Sequence, residues 1–129
     1  MSLCFAGYAA VFDRVDRGGD VVRRGAFGAP DTVPLLWQHG GAPVGTIERI
    51  EEDARGLRVI GRIDDPRLAR LVGAGGVKGL SFGYRVRAAR HGRVRELTAL
   101  DLVEVSLVAQ PMQPLARVHA VMGDAIPGP

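Results

Sequence analysis

For serine or imidazole chemistry this chain of 129 residues offers only Ser2, Ser81 and Ser106, and His39, His91 and His119. Ser81 stands in Gly79-Leu80-Ser81-Phe82-Gly83, a G-x-S-x-G. A free hydroxyl is too weakly acidic to attack a carbonyl unaided, so such a serine needs a base. His39, in Leu35-Leu36-Trp37-Gln38-His39-Gly40-Gly41, can supply one. A near-neutral imidazole takes the serine proton and returns it to a leaving amine. The plainer readings are a serine in a glycine-flanked loop and a turn histidine closing an apolar strand.

Glu104 is the third candidate. Along Leu100 to Val108 it alternates onto one face with Leu102, Ser106 and Val108. An ionised carboxylate on such an apolar stripe is costly unless paired. An imidazole suits it, because the carboxylate fixes the tautomer and stabilises the imidazolium. An ion pair with an arginine is the alternative partner. Asp101, on the opposite face, is the substitute for Glu104.

Other chemistries lack their residues. In α/β-hydrolases G-x-S-x-G sits on a strand-to-helix turn. Here Leu80 to Arg90 alternates like a strand, and the only histidine beyond it that is not at the following turn is His119. Gly40 to Thr46 has no lysine and so makes no Walker A loop. Gly73 to Gly79 lacks the spacing and the preceding strand of a dinucleotide fingerprint. Scattered histidines and the single Cys4 give no zinc set. Asp13, Asp16 and Asp20 miss the EF-hand spacing and read as a turn. No cofactor is expected.

The elements that must position these residues are short. Leu3 to Phe12 reads as a strand, Asp13 to Gly28 as a loop with a turn at Arg17-Gly18-Gly19-Asp20, and Val33 to His39 as an apolar run. Val44 to Ile50 and Gly56 to Ile63 read as strands around the polar turn Glu51 to Arg55. Asp65-Pro66 opens a helix to Val72, with Asp65 as cap, Pro66 at the first position and Gly73 as terminator. Leu80 to Arg90 turns at His91-Gly92 into Arg93 to Leu97, and Leu100 to Val108 is the last strong strand. Many short strands with one or two helices indicate a barrel or sandwich with helical decoration. The division expected is one domain over 1–118 and a weakly ordered tail over 119–129.

Composition narrows the setting. A chain of this length is one domain. One cysteine excludes an intramolecular disulfide and fits a reducing compartment. No apolar run reaches the ~20 residues of a membrane span, and Met1-Ser2-Leu3-Cys4-Phe5 lacks a signal-type core. The net charge is +3, with Lys78 the sole lysine. The arginines are spread from Arg14 to Arg117 among acids, and aromatics are 5%. That is a poor stacking platform for nucleic acid, which is not the expected partner.

Four blocks, taken in order, resemble the prohead serine protease family of tailed bacteriophages. They are Gly7-Tyr8-Ala9-Ala10-Val11-Phe12 with Gly19-Asp20-Val21-Val22 and Arg24-Gly25-Ala26-Phe27; Leu35-Leu36-Trp37-Gln38-His39 with Pro43-Val44-Gly45; Gly79-Leu80-Ser81-Phe82-Gly83-Tyr84; and Leu102 to Val108 followed by Pro111. The resemblance implies a mainly β fold with a few helices, a small closed β-barrel flanked by helices like the herpesvirus assembly proteases. It implies Ser81 as nucleophile, His39 as general base and Glu104 as third member. It also implies a role: cleaving the scaffold segment of the capsid protein precursor, and the protease itself, inside the assembling prohead in the host cytoplasm. A phage and a gene-transfer agent would look alike here. Homo-oligomerisation stays open, and no membrane partner is expected. Gln113-Pro114 departs from the family's Asn-Pro. A non-catalytic scaffold-binding module on the same fold is the alternative.

Overall fold

The computed structural model describes residues 2–123. Its strands are β1 (Leu3–Val11), β2 (Asp20–Val22), β3 (Pro34–Trp37), β4 (Gly40–Glu52), β5 (Gly56–Ile63), β6 (Gly79–His91), β7 (Arg95–Val108) and β8 (Val118–Gly123). One helix, α1 (Pro66–Gly73), joins β5 to β6. The fold is mainly β, as the many short apolar segments imply.

The strands form one mixed sheet in the order β2-β7-β3-β4-β5-β1-β8, with β6 also on β7. Only β2 and β3 run parallel to their neighbour β7; the other pairings are antiparallel. Alternation along β1 and β5 sends Leu3, Phe5, Leu57, Val59 and Ile63 into a core shared with Leu35, Ile47, Leu80, Leu97, Val105 and Leu107. Burial of these aliphatic side chains stabilises by roughly 1.5–3 kcal/mol each before chain entropy is subtracted.

The expected closed barrel flanked by helices is corrected in two respects. The sheet does not close by a ladder. Between the start of β6 and the residue before β8 there is a single isolated bridge, Gly79 to Arg117, with Leu80 N–H donating to Ala116 C=O at 3.0 Å and Val118 N–H to Lys78 C=O at 2.8 Å. Residues 109–116, which would have to extend that seam, form a loop containing Pro111 and Pro114, and proline has no N–H for a ladder. Secondly, α1 is the only helix among the described residues.

That helix begins as read. The Asp65 side chain accepts from Arg67 N–H at 2.9 Å and Leu68 N–H at 3.1 Å, and Pro66 follows it. The end differs by two residues. Gly76 N–H reaches Leu71 C=O at 2.8 Å and Gly75 N–H reaches Val72 C=O at 3.1 Å. These paired bonds make a Schellman ending. Gly75, at φ 81°, is the residue that must turn left-handed, so it and not Gly73 is the terminator.

Two further expectations shift. The expected segments Arg93 to Leu97 and Leu100 to Val108 fall, from Arg95 on, in one strand, β7, whose pairing with β6 slips between Gly83/Tyr84, Val86/Ala88 and Ala88/Ala89. Those bulges break the alternation that sequence reading relies on. The segment from residue 118 to 123 is not tail-like but forms β8, antiparallel to β1 from Leu3 to Gly7. The rest of the expected tail, 124–129, lies outside the described residues.

Candidate active site

The site is built where β3, β6 and β7 meet. β3 lies parallel to the end of β7, with Leu35, Leu36 and Trp37 beside Val105, Ser106 and Leu107. Its turn into β4 is the two-residue tip Gln38-His39, closed by the pair Trp37 and Gly40. Both tip residues are left-handed, at φ 52° and 61°. Positive φ at both positions is the geometry of a type I′ hairpin turn, which glycine or asparagine adopts most cheaply. Gln38 and His39 therefore hold strain of about 1–3 kcal/mol each.

Contacts to β7 hold the tip in place. Gln38 N–H donates to Leu107 C=O at 2.9 Å, and Ala109 N–H donates to Gln38 Oε1 at 2.8 Å. His39 N–H donates to Ser106 Oγ at 3.0 Å. The Ser106 hydroxyl in turn donates to Glu104 Oε2 at 2.6 Å, and Glu104 Oε1 is hydrogen-bonded to His39 Nδ1. One carboxylate thus binds the imidazole through one oxygen and the residue anchoring its backbone through the other. A carboxylate on Nδ1–H leaves the lone pair on Nε2.

Glu104 reaches this position because of a bulge. Gly83 pairs with Glu104 but Tyr84 pairs with Leu102, so Val103 is left over and lies 45% exposed. Leu102 then packs on the core, while beyond the bulge Val105 and Leu107 take the core side. Glu104 and Ser106 occupy the opposite face, 6% and 0% exposed. The shared face expected for Leu102 and Glu104 is therefore corrected. The partner of Glu104 is His39, not an arginine. Asp101 is exposed, sits opposite Arg85 and lies 3.7 Å from Arg87, away from the imidazole.

Ser81 on β6 is the direct cross-strand partner of Ser106. Such a pair has Cβ atoms about 4.5–5.5 Å apart. Ser81 is only 8% exposed, and its Oγ makes no hydrogen bond among the described residues. It lines, together with His39, a cavity of about 140 Å³. Gly79 and Gly83 are on the same face of β6 as Ser81, two residues to either side. A Cβ on Gly83 would stand 2.5 Å from Glu104 Oε1, and one on Gly79 would stand 2.6 Å from Val108 C=O. The G-x-S-x-G is thus a strand motif whose glycines make room for β7 and for the carboxylate.

Three residues of the site escaped the sequence reading of roles. Ser106 was visible only as a scarce serine two positions after Glu104. Gln38 gave no signal beyond its place beside His39. Gln113 is buried and pairs with the Val11 backbone in both directions, accepting from its N–H at 2.7 Å and donating to its C=O at 3.0 Å. It holds the 109–116 loop against β1 at the cavity wall. On the opposite wall Arg95, in a two-point ion pair, holds the Asp20 carboxyl below its usual range. Burial, with Asp20 nearby, pushes the Tyr84 phenol up. His119 stacks near Tyr8, with ring centroids 5.8 Å apart, and His91 ends β6. Among the described residues no three histidine, cysteine or carboxylate side chains are grouped as a metal set.

A buried carboxylate ordering an imidazole beside an unpaired serine has the composition of a serine-hydrolase centre, carried on an open, mainly β sheet. A family model described as caudovirus prohead serine protease matches residues 1–125. The chain belongs to that family of serine proteases. No curated protein matches it. Among solved structures, KSHV protease in complex with a hexapeptide phosphonate inhibitor aligns with TM-score 0.66 and 14% identity, over 96% of this chain and 66% of that one. A second KSHV protease structure gives TM-score 0.56 and 17% identity over 96% and 62% of the two chains. Varicella-zoster virus protease gives 0.50 and 18% over 83% and 58%. The fold is therefore herpesvirus-protease-like, and the chain spans about two-thirds or less of the length of these structures.

Proposed function

We propose that this chain is an endopeptidase of capsid maturation, acting inside the assembling capsid on the scaffold segment of the capsid protein precursor. The observation that carries the reading is the continuous link from Ser106 through Glu104 to the His39 ring, with the unpaired Ser81 hydroxyl in the same cavity. In this mechanism His39 Nε2 removes the Ser81 proton as Oγ attacks the scissile carbonyl carbon. The imidazolium, stabilised by Glu104, passes that proton to the departing amine as the C–N bond breaks. Water then attacks the acyl-enzyme, giving its proton to His39, and Ser81 is released with the proton returned. Backbone donors facing the oxyanion contribute roughly 3–4 kcal/mol each to such a step.

The substrate is held as an added strand. From Ser81 onward β6 pairs only with β7 among the described residues, so no strand lies along its other edge, where the cavity is. Backbone pairing along such an edge presents a peptide in extended form.

Co-expression of the chain with its capsid precursor tests the reading. The wild-type chain is expected to shorten the precursor, and Ser81→Ala to leave it intact. Equal shortening by both would remove Ser81 from the chemistry. A precursor left at full length by the wild-type chain but co-purifying with it would make the chain a scaffold-binding module.

A further inference from the structure

The cavity beside Ser81 is not uniformly apolar, and its composition bears on which residue precedes the cleaved bond. Ala9, Leu80, Phe82 and Met112 supply aliphatic and aromatic wall, and Asp16 and Asp20 stand at the side formed by the loop after β1. The two carboxylates are in different states. Asp20 is engaged by Arg95 at 2.8 and 2.9 Å through both oxygens. Asp16 accepts Gly18 N–H at 2.8 Å and Asp20 N–H at 2.9 Å through Oδ1 alone. No cation pairs with Asp16 among the described residues, and its Oδ2 is uncommitted. In a chain of net charge +3, the serine's cavity thus carries a carboxylate that shares the field of Arg95 with Asp20 but makes no direct ion pair among the described residues.

The carboxylate is firmly placed. Asp16 N–H donates to Asp20 C=O at 2.8 Å, and Arg17 N–H donates to Met112 C=O at 3.0 Å. The loop bearing Asp16 is thereby joined to the loop bearing Met112 and Gln113 across the cavity. The buried, unpartnered Ser81 hydroxyl opens onto the same space.

We infer that this cavity receives the side chain of the residue on the amino side of the scissile bond, and that Asp16 selects a long unbranched cationic side chain, lysine or arginine, there. The inference rests on Ser81 being the nucleophile. The aliphatic stem packs against Phe82 and Met112, and the cation meets Oδ2. A charge-assisted hydrogen bond in a partly desolvated site discriminates far more strongly than an added methylene does.

Peptidyl diphenyl phosphonates test this directly, because Ser81 Oγ forms a bond to phosphorus, phenol leaves, and the adduct is read by intact mass. Two probes differing only in the terminal residue, lysine or norleucine, report the pocket. The lysine probe is expected to label the wild-type chain at least tenfold faster. In Asp16→Asn, which retains the Oδ1 acceptor for Gly18 and Asp20, the ratio is expected to fall towards one. A wild-type ratio of one or below overturns the inference, as does a lysine preference that survives in a folded Asp16→Asn chain. If Asp16→Asn does not fold, by circular dichroism, the wild-type ratio and competition by free lysine amide decide. Labelling by the norleucine probe alone refutes the cation pocket while leaving Ser81 as nucleophile. No labelling by either probe, with the precursor also uncut, refutes Ser81 and the inference together.

Discussion

Ser106 has a larger part in the site than its size suggests. Its hydroxyl accepts from the His39 backbone and donates to Glu104, so one side chain fixes both the strained turn and the carboxylate. Ser106→Ala strands an oxygen of the buried Glu104 carboxylate, at ~1–3 kcal/mol, and frees the part-buried His39 N–H. If that cost falls on ring placement, kcat drops by about 10- to 100-fold, at ~1.4 kcal/mol per tenfold. KM is expected to stay within about twofold. A loss confined to KM would contradict this. Ser81, His39 and Glu104 stand out in the sequence as candidates because serine and histidine are scarce and a carboxylate on an apolar strand demands a partner. The choice of Glu104 over Asp101 was only half legible. Its face depends on the bulge at Val103, which arises from the pairing with β6 and leaves no mark in β7's own residues. Ser106 was illegible in its role because its partner N–H comes from a turn on another element.

At the scale of elements, β6 explains the motif that most invited misreading. On a strand, alternate residues share a face, so G-x-S-x-G flanks the serine with two vacancies on its own side. The vacancies have different occupants, and two substitutions separate them. Gly79→Ala presses a methyl on the Val108 backbone and Pro111, and is expected to destabilise by ~1–3 kcal/mol in denaturant unfolding. Gly83→Ala meets Glu104 at Oε1, Cδ and Cγ and forces its carboxylate off Ser106 and His39. It is expected to destabilise by ~1–3 kcal/mol and also to lower kcat at least tenfold, whereas Gly79→Ala spares kcat. An equal loss of kcat in the two would refute this division of roles. The strand character of residues 80–90 was readable from alternation, as were β5 and the capped start of α1. β7 was readable only in halves, because its bulges interrupt the period-two signal across Thr98-Ala99.

For the whole molecule, the sheet's order has a consequence that no single strand carries. β1 lies between β5 and β8, so β8 covers an edge that includes Leu3 and Phe5 of the core strand. Removing residues 118–129 opens that edge, and exposed edges template aggregation. The truncated chain is expected to lose several degrees of thermal midpoint and to aggregate at micromolar concentration by light scattering. An unchanged midpoint would show that β8 is dispensable. The composition implied a β fold, but closure was not readable, since it depends on whether residues 109–116 pair. Some of the arginines are held in ion pairs, Arg23 with Asp13 and Glu96 and Arg95 with Asp20, which leave the net charge of +3 as it is. Such exposed pairs contribute little stability each.

Activation of Ser81 by His39 is measured by mapping a fluorophosphonate adduct by peptide mass spectrometry. Only Ser2, Ser81 and Ser106 compete for it. Modification is expected at Ser81 alone, lost in the unfolded chain and slowed at least a hundredfold in His39→Ala. Modification at Ser106 or Ser2, or an unchanged rate in His39→Ala, would contradict it.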